Sequence, residues 1–592
     1  MPRCVVTEEG TVRLIFLLSL LMPHLLFSSY SQFIEASQSQ DDMALQKISL
    51  ISDLQALEAK AGQLEKPLAR ASAKAEIADA AWTLDKDWAK KLLQEAYELT
   101  FPSEEIQAIL RQRPIGSIPT SLSPTDRARY AVRQRMMSIA SRDKTFAEQM
   151  VQTGAKQLGR SEEHQRYSEL ASSAVERGDK EDAVRYIRQA FEAEPTQFDM
   201  GLPIYDLAEQ DRAAADKVIL QYIERLSSVS FLSRDGSEGR VLLMLNMMVH
   251  PSPVYAETRG RQIPSPSPAL MHAYLAYMLD FLVQKEQRAS GSIQSWRGIL
   301  LALWPELKKY APDLIGRFRE MEMLSRRPGD KASWPPPDNR ERFRKQREEL
   351  TKSLIESGEA DPGVIALLID RGEFAGARKL LDKLADGPQR TDLLNKLDAK
   401  EAVGLVKKGD LAGAQMIAGR LTKAMYILQA YPVIIEKCLS NKDKPCASNM
   451  VYQAIRQLKQ SDVTPPVLPP GVPASVLATG KELDPILTSL CKLTQLILPA
   501  DGALASDALD EMVVAANSSE IDTGMGRTGF DADVFKKIAQ KDEMHARQSA
   551  LSFKDTLRQI VSFAAIYRWK AEELDVKAKA VSSKPSAPIA NR

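Results

Sequence analysis

The residues that could do chemistry are few and scattered. Five histidines stand at His24, His164, His250, His272 and His545. Zinc-dependent hydrolysis needs two histidines one helical turn apart with a carboxylate between them, and neither HExxH nor any other paired spacing occurs. A lone histidine on a helix is more often packed or solvated than ligating. The chain has no GxSxG nucleophile elbow and no Walker loop. Gly524, Gly526 and Gly529 do form GxGxxG, within TGMGRTGFDAD. A dinucleotide site needs that loop between a strand and a helix, where the first amides of the helix face the pyrophosphate. The preceding ALDEMVVAANSSE has a helical composition, and no strand–helix alternation exists anywhere. The glycines read as an interhelical loop, and no cofactor or metal is implied.

Cysteine chemistry is the next candidate. Cys438 and Cys446 flank LSNKDKP, a junction between helices that contains Pro445. In an oxidising compartment this pair can bridge, which would contribute roughly 2–3 kcal/mol through chain entropy; the alternative is two unpaired thiols. Zinc would need further ligands, and no histidine is near. Cys491, inside ILTSLCKLTQLIL, reads as a buried thiol. Asp and Glu total 78, so counting alone does not remove a carboxylate pair for glycoside cleavage. Sugar clefts in helical enzymes are usually rich in aromatics, which are 6% of this chain. No catalytic residue emerges.

The elements that would position any site are helical. From His164 to Pro195 the chain reads as two helices and a tight turn, HQRYSELASSAVERGD and KEDAVRYIRQAFEAEP. Tyr167, Leu170, Ala171 and Ala174 fall on one helical stripe, and Ala183, Ile187 and Ala190 on another. Gly178-Asp179 breaks the first helix, since glycine accepts the left-handed geometry of a helix end; Pro195 stops the second. Such a hairpin cannot bury its stripes alone and must stack on others. Tyr167, the Leu170-Ala171 pair, Gly178-Asp179, Ala183, Ala190 and Pro195 stand at the spacing of a tetratricopeptide repeat, which this stretch of about 32 residues resembles. Other copies are weaker. DKDWAKKLLQEAYELTFP parallels DKEDAVRYIRQAFEAEP, Ala147 to Ala183 is a step of 36, and Gly372-Glu373 to Gly409-Asp410 is a step of 37. The chain as a whole resembles a bacterial family of secreted helical-repeat proteins, a resemblance that implies no activity.

These patterns predict an all-α solenoid of stacked hairpins with helix above roughly 60% of residues, well past the globular average. The expected organisation is a signal peptide over 1–31 and an N-terminal array over 32–249. A Pro-rich loop (250–268), a helical segment (269–325) and a Pro-rich linker (326–339) follow. A second array (340–460), a third Pro-rich linker (461–475), a helical cap (476–576) and a disordered tail (577–592) complete the chain. Ile560, Phe563, Ala564 and Tyr567 share one face of the last helix. RERFRKQREELTK, from Arg340, alternates charge like a solvated helix face.

Lys and Arg total 79 against 78 Asp and Glu, net +1. That balance gives no field for nucleic acid or an acidic membrane surface. At the N-terminus, Arg13 precedes the apolar run Leu14 to Phe27, with Ser29 and Ser31 before Gln32. The run is shorter than the roughly 20 residues of a spanning helix and reads as a secretory signal. Cys4 lies within it. The mature chain is therefore expected outside the cytoplasm without an integral span, as a non-catalytic scaffold or adaptor. Its partner would be a protein or peptide held in the repeat groove. The alternative is an all-helical enzyme acting on cell-envelope polymers. In tetratricopeptide arrays the first helix of each pair lines the concave face, so the resemblance points to Gln165, Ser168 and Ser172 as groove contacts. N-terminal sequencing of protein from the native host should begin near Gln32; an intact Met1 is the contrary outcome.

Overall fold

Asp and Gly at the hairpin turns explain why the helices stop and restart where they do. The computed structural model describes residues 41–112, 123–194, 201–228, 237–250, 263–288, 303–324, 349, 352–353, 360–461, 485–499, 501–518 and 531–582. It is 84% helical and has no strand among the described residues. At Gly178 the amide reaches back to the Val175 carbonyl and the next amide, of Asp179, to Ala174, the double closure of a Schellman end. Gly372 and Gly409 close the same way, and all three glycines have left-handed φ, 75°, 78° and 86°. Each lies at the turn between antiparallel helices, as the sequence predicts. A fourth copy of this turn holds Lys442 at φ 60° in the glycine position, between Cys438 and Cys446.

The residue after the turn is commonly Asp, and its carboxylate caps the next helix. Asp85 accepts from the Trp88 amide, Asp143 from Phe146, Asp179 from Asp182, Asp410 from Gly413, Asp443 from Cys446 and Asp542 from His545. Such caps typically stabilise a helix start by about 1 kcal/mol. This is a repeat signature spread through the whole chain, wider than the Gly-Asp pairs that mark it most plainly.

The hairpins stack into an α-solenoid with two arrays. One apolar core runs without interruption from Leu50 to Met321. It includes Met248 and Val249 before the expected loop at 250–268 and Leu270 and Met271 after it. A small cluster from Val364 to Leu397 shares the Pro388–Lys408 helix with a larger core that begins at Ala399 and continues past Leu487 to Phe553. Apart from Ser461, the expected linker at 461–475 lies outside the described residues. Among the described residues, the run of the first core from Leu50 ends at Met321 and the next cluster begins at Val364. The expected linker at 326–339, the signal peptide, the GxGxxG glycines, most of the other Pro-rich segments and nearly all of the Arg340–Lys352 run lie outside the described residues.

The last helix, Thr556–Ser582, departs from its expected role as a cap. It packs against the first hairpin helix, Pro67–Ala81, as well as its own neighbours Asp533–Ala539 and Glu543–Leu551. Leu557, Ile560, Ala564 and Tyr567 join the N-terminal core, while Ala565 and Ile566 join the C-terminal one. A helix apolar on two sides must be covered on two sides. Residues 577–582 also continue this helix instead of beginning a tail, supported by Lys577–Glu573 and Lys579–Asp575 pairs one turn apart; residues 583–592 lie outside the described residues. The two cores thus join through the contact between Thr556–Ser582 and Pro67–Ala81.

That joint is centred on Asp79, which is 2% exposed. Arg135, Arg142 and Arg568 all bond its carboxylate, and Arg568 also bonds Asp533. Arg135 holds Glu76 in a two-pronged contact at 2.7 and 2.8 Å. Burial alone would raise the Asp79 pKa, but Arg135, Arg568 and Arg142 overcome it and hold the carboxyl well below the usual range. A folded pKa below the unfolded one adds stability above the unfolded value and loses it as acid protonates the group. Asp79→Asn leaves buried guanidinium groups facing a neutral amide, which should cost roughly 3–5 kcal/mol. In intact protein cut at a protease site introduced within 326–339, the two pieces should co-elute on size exclusion, and the same cut in Asp79→Asn should release them. Separation of the wild-type pieces is the contrary outcome.

Candidate binding surface on the helical array

The helix expected to line a groove, Arg160–Glu176, is covered on more sides than its sequence suggests. It packs against Lys180–Ala193, Lys144–Leu158, Pro124–Ala140 and Gly201–Gln210. Tyr167, Leu170, Ala171 and Ala174 are buried as expected. Ser168 is buried too, at 8% exposure, so it is closed to a partner. Gln165 and Ser172 are half-buried. The three residues therefore do not form one continuous polar strip.

The hidden face of this helix carries an ionic cluster that the apolar periodicity did not reveal. Glu162, Arg166 and Glu169 are spaced four and three apart and all point inward. Arg166 is 0% exposed. Its Nε lies 2.8 Å from Glu162 and its Nη1 donates to Glu169 at 2.5 Å. Arg133, from the preceding hairpin, lies 2.9 Å from Glu162. The Nε groups of both arginines lack hydrogen-bond alignment despite these distances, so the attraction there is mainly Coulombic. The Tyr97 hydroxyl donates to Glu162 at 3.4 Å, and the Arg166 guanidinium lies 5.0 Å above the Tyr130 ring. Gly154 makes room for Tyr97, because a Cβ there would stand 2.3 Å from its hydroxyl oxygen. The recognisable sequence signal was the Glu-x3-Arg-x2-Glu spacing itself, which matches a solvated ion-pair face equally well.

The cluster splits its two carboxyls. Burial pushes Glu169 up to about 7, aided by Glu162 and opposed by Arg166. Burial would also raise Glu162, but Arg133 and Arg166 outweigh it and lower that group. Perturbed pairs of this kind can mark acid–base chemistry, yet these side chains are 9% exposed or less, and a substrate cannot reach them here.

The open surface lies elsewhere. A cleft of about 510 Å³ sits between Lys180–Ala193 and Arg212–Ser228, the second helices of adjacent hairpins. Its floor is Val218 and the stacked rings of Phe191 and Tyr222, with centroids 4.1 Å apart and each residue 3% exposed or less. Arg188, Glu192, Gln221, Glu224 and Arg225 supply its polar rim. Burial holds the Tyr222 phenol protonated, well above its ordinary pKa. The size matches a binding cleft.

The remaining candidates are accounted for by structure. His164 bonds the Ala190 carbonyl at 2.9 Å in the core, His250 meets Glu306 at 3.2 Å, His272 meets Asp313 at 3.0 Å and His545 meets Asp510 at 3.2 Å. Among the described residues no group of three or more His, Cys, Asp or Glu is placed to hold a metal ion. The Cys438 and Cys446 sulfurs lie 1.96 Å apart, with Cα atoms 5.7 Å apart, a separation that a bridge spans. Cys491 is a buried free thiol, pushed up to about 12 by burial. No described helix is long and apolar enough to cross a membrane.

No family model and no curated protein matches the chain. Among solved structures it aligns with a "circular tandem repeat protein with novel repeat topology and enhanced subunit contact surfaces", at 13% identity over 89% of this chain and all of that one. The TM-score is 0.13, so this likeness carries no argument about shape or function.

The raised Glu169 pKa generates a pH prediction. Its contribution to stability is complete below about 4.5, its unfolded value, and is lost as pH rises through about 7. Glu169→Gln, which keeps the shape and stays neutral, should flatten the decline between pH 4.5 and 7. At pH 8 it should raise stability by on the order of 1 kcal/mol. Denaturant melts across this range check it; an unchanged slope in the variant is the contrary outcome.

Proposed function

We propose that the protein is an exported, non-catalytic scaffold that holds a protein or peptide partner on its helical-repeat surface. The observation that carries this reading is the separation of charge from access. The pKa-shifted carboxyls of the ionic cluster are sealed inside the array, while the cleft between the second helices offers a polar rim open to solvent over a packed apolar floor. Catalysis by general acid or base needs the shifted group within reach of substrate; recognition needs only exposed side chains. Hairpin solenoids present extended surfaces suited to such recognition, and the His164–Pro195 hairpin resembles the tetratricopeptide unit in particular.

Export rests on the Leu14–Phe27 run and its small-residue flank. The proximity of Cys438 and Cys446 supports an oxidising destination, because a bridge there would persist only outside a reducing cytosol. Gln165 and Ser172 remain the groove contacts of this reading, and neither makes a side-chain hydrogen bond among the described residues.

The test is affinity capture from an envelope extract with the mature, oxidised protein. A protease-sensitive partner should be retained by wild type and lost or reduced several-fold by Gln165→Arg with Ser172→Glu, at an unchanged melting temperature, since surface changes stay within about 0.5 kcal/mol of neutral. Retention of the partner by the folded double variant would remove the groove from this reading. If wild type retains nothing, the scaffold itself falls.

A further inference from the structure

We propose that Cys438 and Cys446 form a redox-operated lock on the turn between Ala424–Ser440 and Lys444–Gln460, opened and closed by a dithiol reagent or enzyme that engages Cys446. The lock goes beyond the scaffold reading and does not depend on it.

Four turns of the arrays share one closure. At Gly178, Gly372 and Gly409 the left-handed residue donates to the carbonyl three positions back, and the next amide to the carbonyl five back. At the fourth turn the Lys442 amide donates to the Leu439 carbonyl and the Asp443 amide to the Cys438 carbonyl, both at 2.9 Å. Lys442 is the one residue other than glycine with left-handed φ among the described residues. A Cβ makes that geometry costly. The two hydrogen bonds are those of the glycine turns, so here they hold against a cost the glycine turns do not carry.

The two cysteines bracket this turn at the positions that matter for its closure. Cys438 supplies the carbonyl that the Asp443 amide bonds, and Cys446 supplies the amide that the Asp443 carboxylate caps at 3.0 Å. A bridge between their sulfurs ties together the two residues that Asp443 holds by hydrogen bonds alone. Gln415, from Leu411–Ala418, donates to the Cys446 sulfur at 3.2 Å, so the lock also touches the preceding hairpin.

Access to the two sulfurs is unequal. Cys438 is 0% exposed, whereas Cys446 is half-buried beside the exposed Lys444 and Pro445. An incoming thiolate therefore attacks the Cys446 sulfur; the bridge breaks, and Cys438 leaves as a thiolate that takes up a proton. The dithiol's second thiolate then displaces Cys446, which is protonated in turn, and the reagent closes its own disulfide. Two electrons pass from dithiol to bridge. An oxidoreductase carrying a disulfide runs the same steps in reverse and closes the lock.

Hydrogen exchange on the full chain, before and after reduction with dithiothreitol, tests this. Under denaturing, non-reducing conditions neither Cys438 nor Cys446 should be alkylated. On reduction the amides of Lys442, Asp443 and Cys446 should exchange about tenfold faster or more. Those of Gly178, Asp179, Gly409 and Asp410, in turns closed without a bridge, should keep their rates. Lys442→Gly, which removes the backbone cost, should shrink the effect of reduction severalfold. If that variant is unstable, Lys442→Asn, which also tolerates left-handed φ, should show an intermediate effect. A short pulse of glutathione should leave its mixed disulfide on Cys446. Alkylation of both cysteines without reductant, unchanged exchange on reduction, equal acceleration at all the turns, or the same acceleration in a folded Lys442→Gly overturns the proposal. A mixed disulfide found on Cys438 overturns the route through Cys446.

Discussion

A single buried carboxylate, Asp79, sets the architecture. It lies in the Pro67–Ala81 helix, yet its arginine partners come from Pro124–Ala140, from the turn that follows it and from the last described helix. A carboxylate removed from water needs compensation in charge and in hydrogen bonds, and here three guanidinium groups supply it. The apolar contacts of Thr556–Ser582 bring the two arrays together without strong direction. The ionic contacts fix which side chains meet. Together they turn two stacks of hairpins into one molecule.

The same division between packing and polarity governs the surface. The Arg160–Glu176 helix gives up nearly all of its faces to neighbouring helices, and its Glu162–Arg166–Glu169 edge becomes an internal brace against the preceding hairpin. The second helices of the pairs carry a more open rim, where Arg225 and Glu192 are 43% and 61% exposed. A buried ion cluster and a cleft rim thus occur within two adjacent hairpins and answer to different demands: one specifies how repeats sit together, the other remains available to solvent.

Much of the fold was legible in the chain. Left-handed turns at Gly178, Gly372 and Gly409 follow from glycine's lack of a Cβ, and the stripes of Tyr167, Leu170 and Ala174 follow from helical periodicity. Less was visible where one pattern serves two environments. Glu-x3-Arg-x2-Glu reads as a solvated helix edge until Arg133 and Tyr97, from other hairpins, are placed against it. Ser168 looked like a groove residue because small polar side chains are compatible with either surface or close helix packing. Ile560, Phe563, Ala564 and Tyr567 revealed one apolar face of the last helix, while Ala565 and Ile566, which mark its other face, looked like ordinary helix formers. Lys442 was illegible as a turn because the steric argument points to glycine there; the left-handed cost of roughly 1–2 kcal/mol is borne by the surrounding Schellman closure. The cleft residues come from helices whose periodicity identifies cores, and nothing in that periodicity distinguishes a recess from a filled contact.

The position of the terminal helix has a consequence for biogenesis. Repeat solenoids ordinarily mature by nearest-neighbour growth, each hairpin completing the one before it. Here the Asp79–Arg568 contact spans 489 positions, so the first hairpin to emerge during synthesis waits for the last helix to be made. The entropic penalty of so long a closure grows only logarithmically with length; the heavier burden is kinetic, because an apolar flank stays uncovered throughout elongation. A product truncated before residue 556 would leave both cores open at once, a defect felt at the opposite end of the sequence from the lesion.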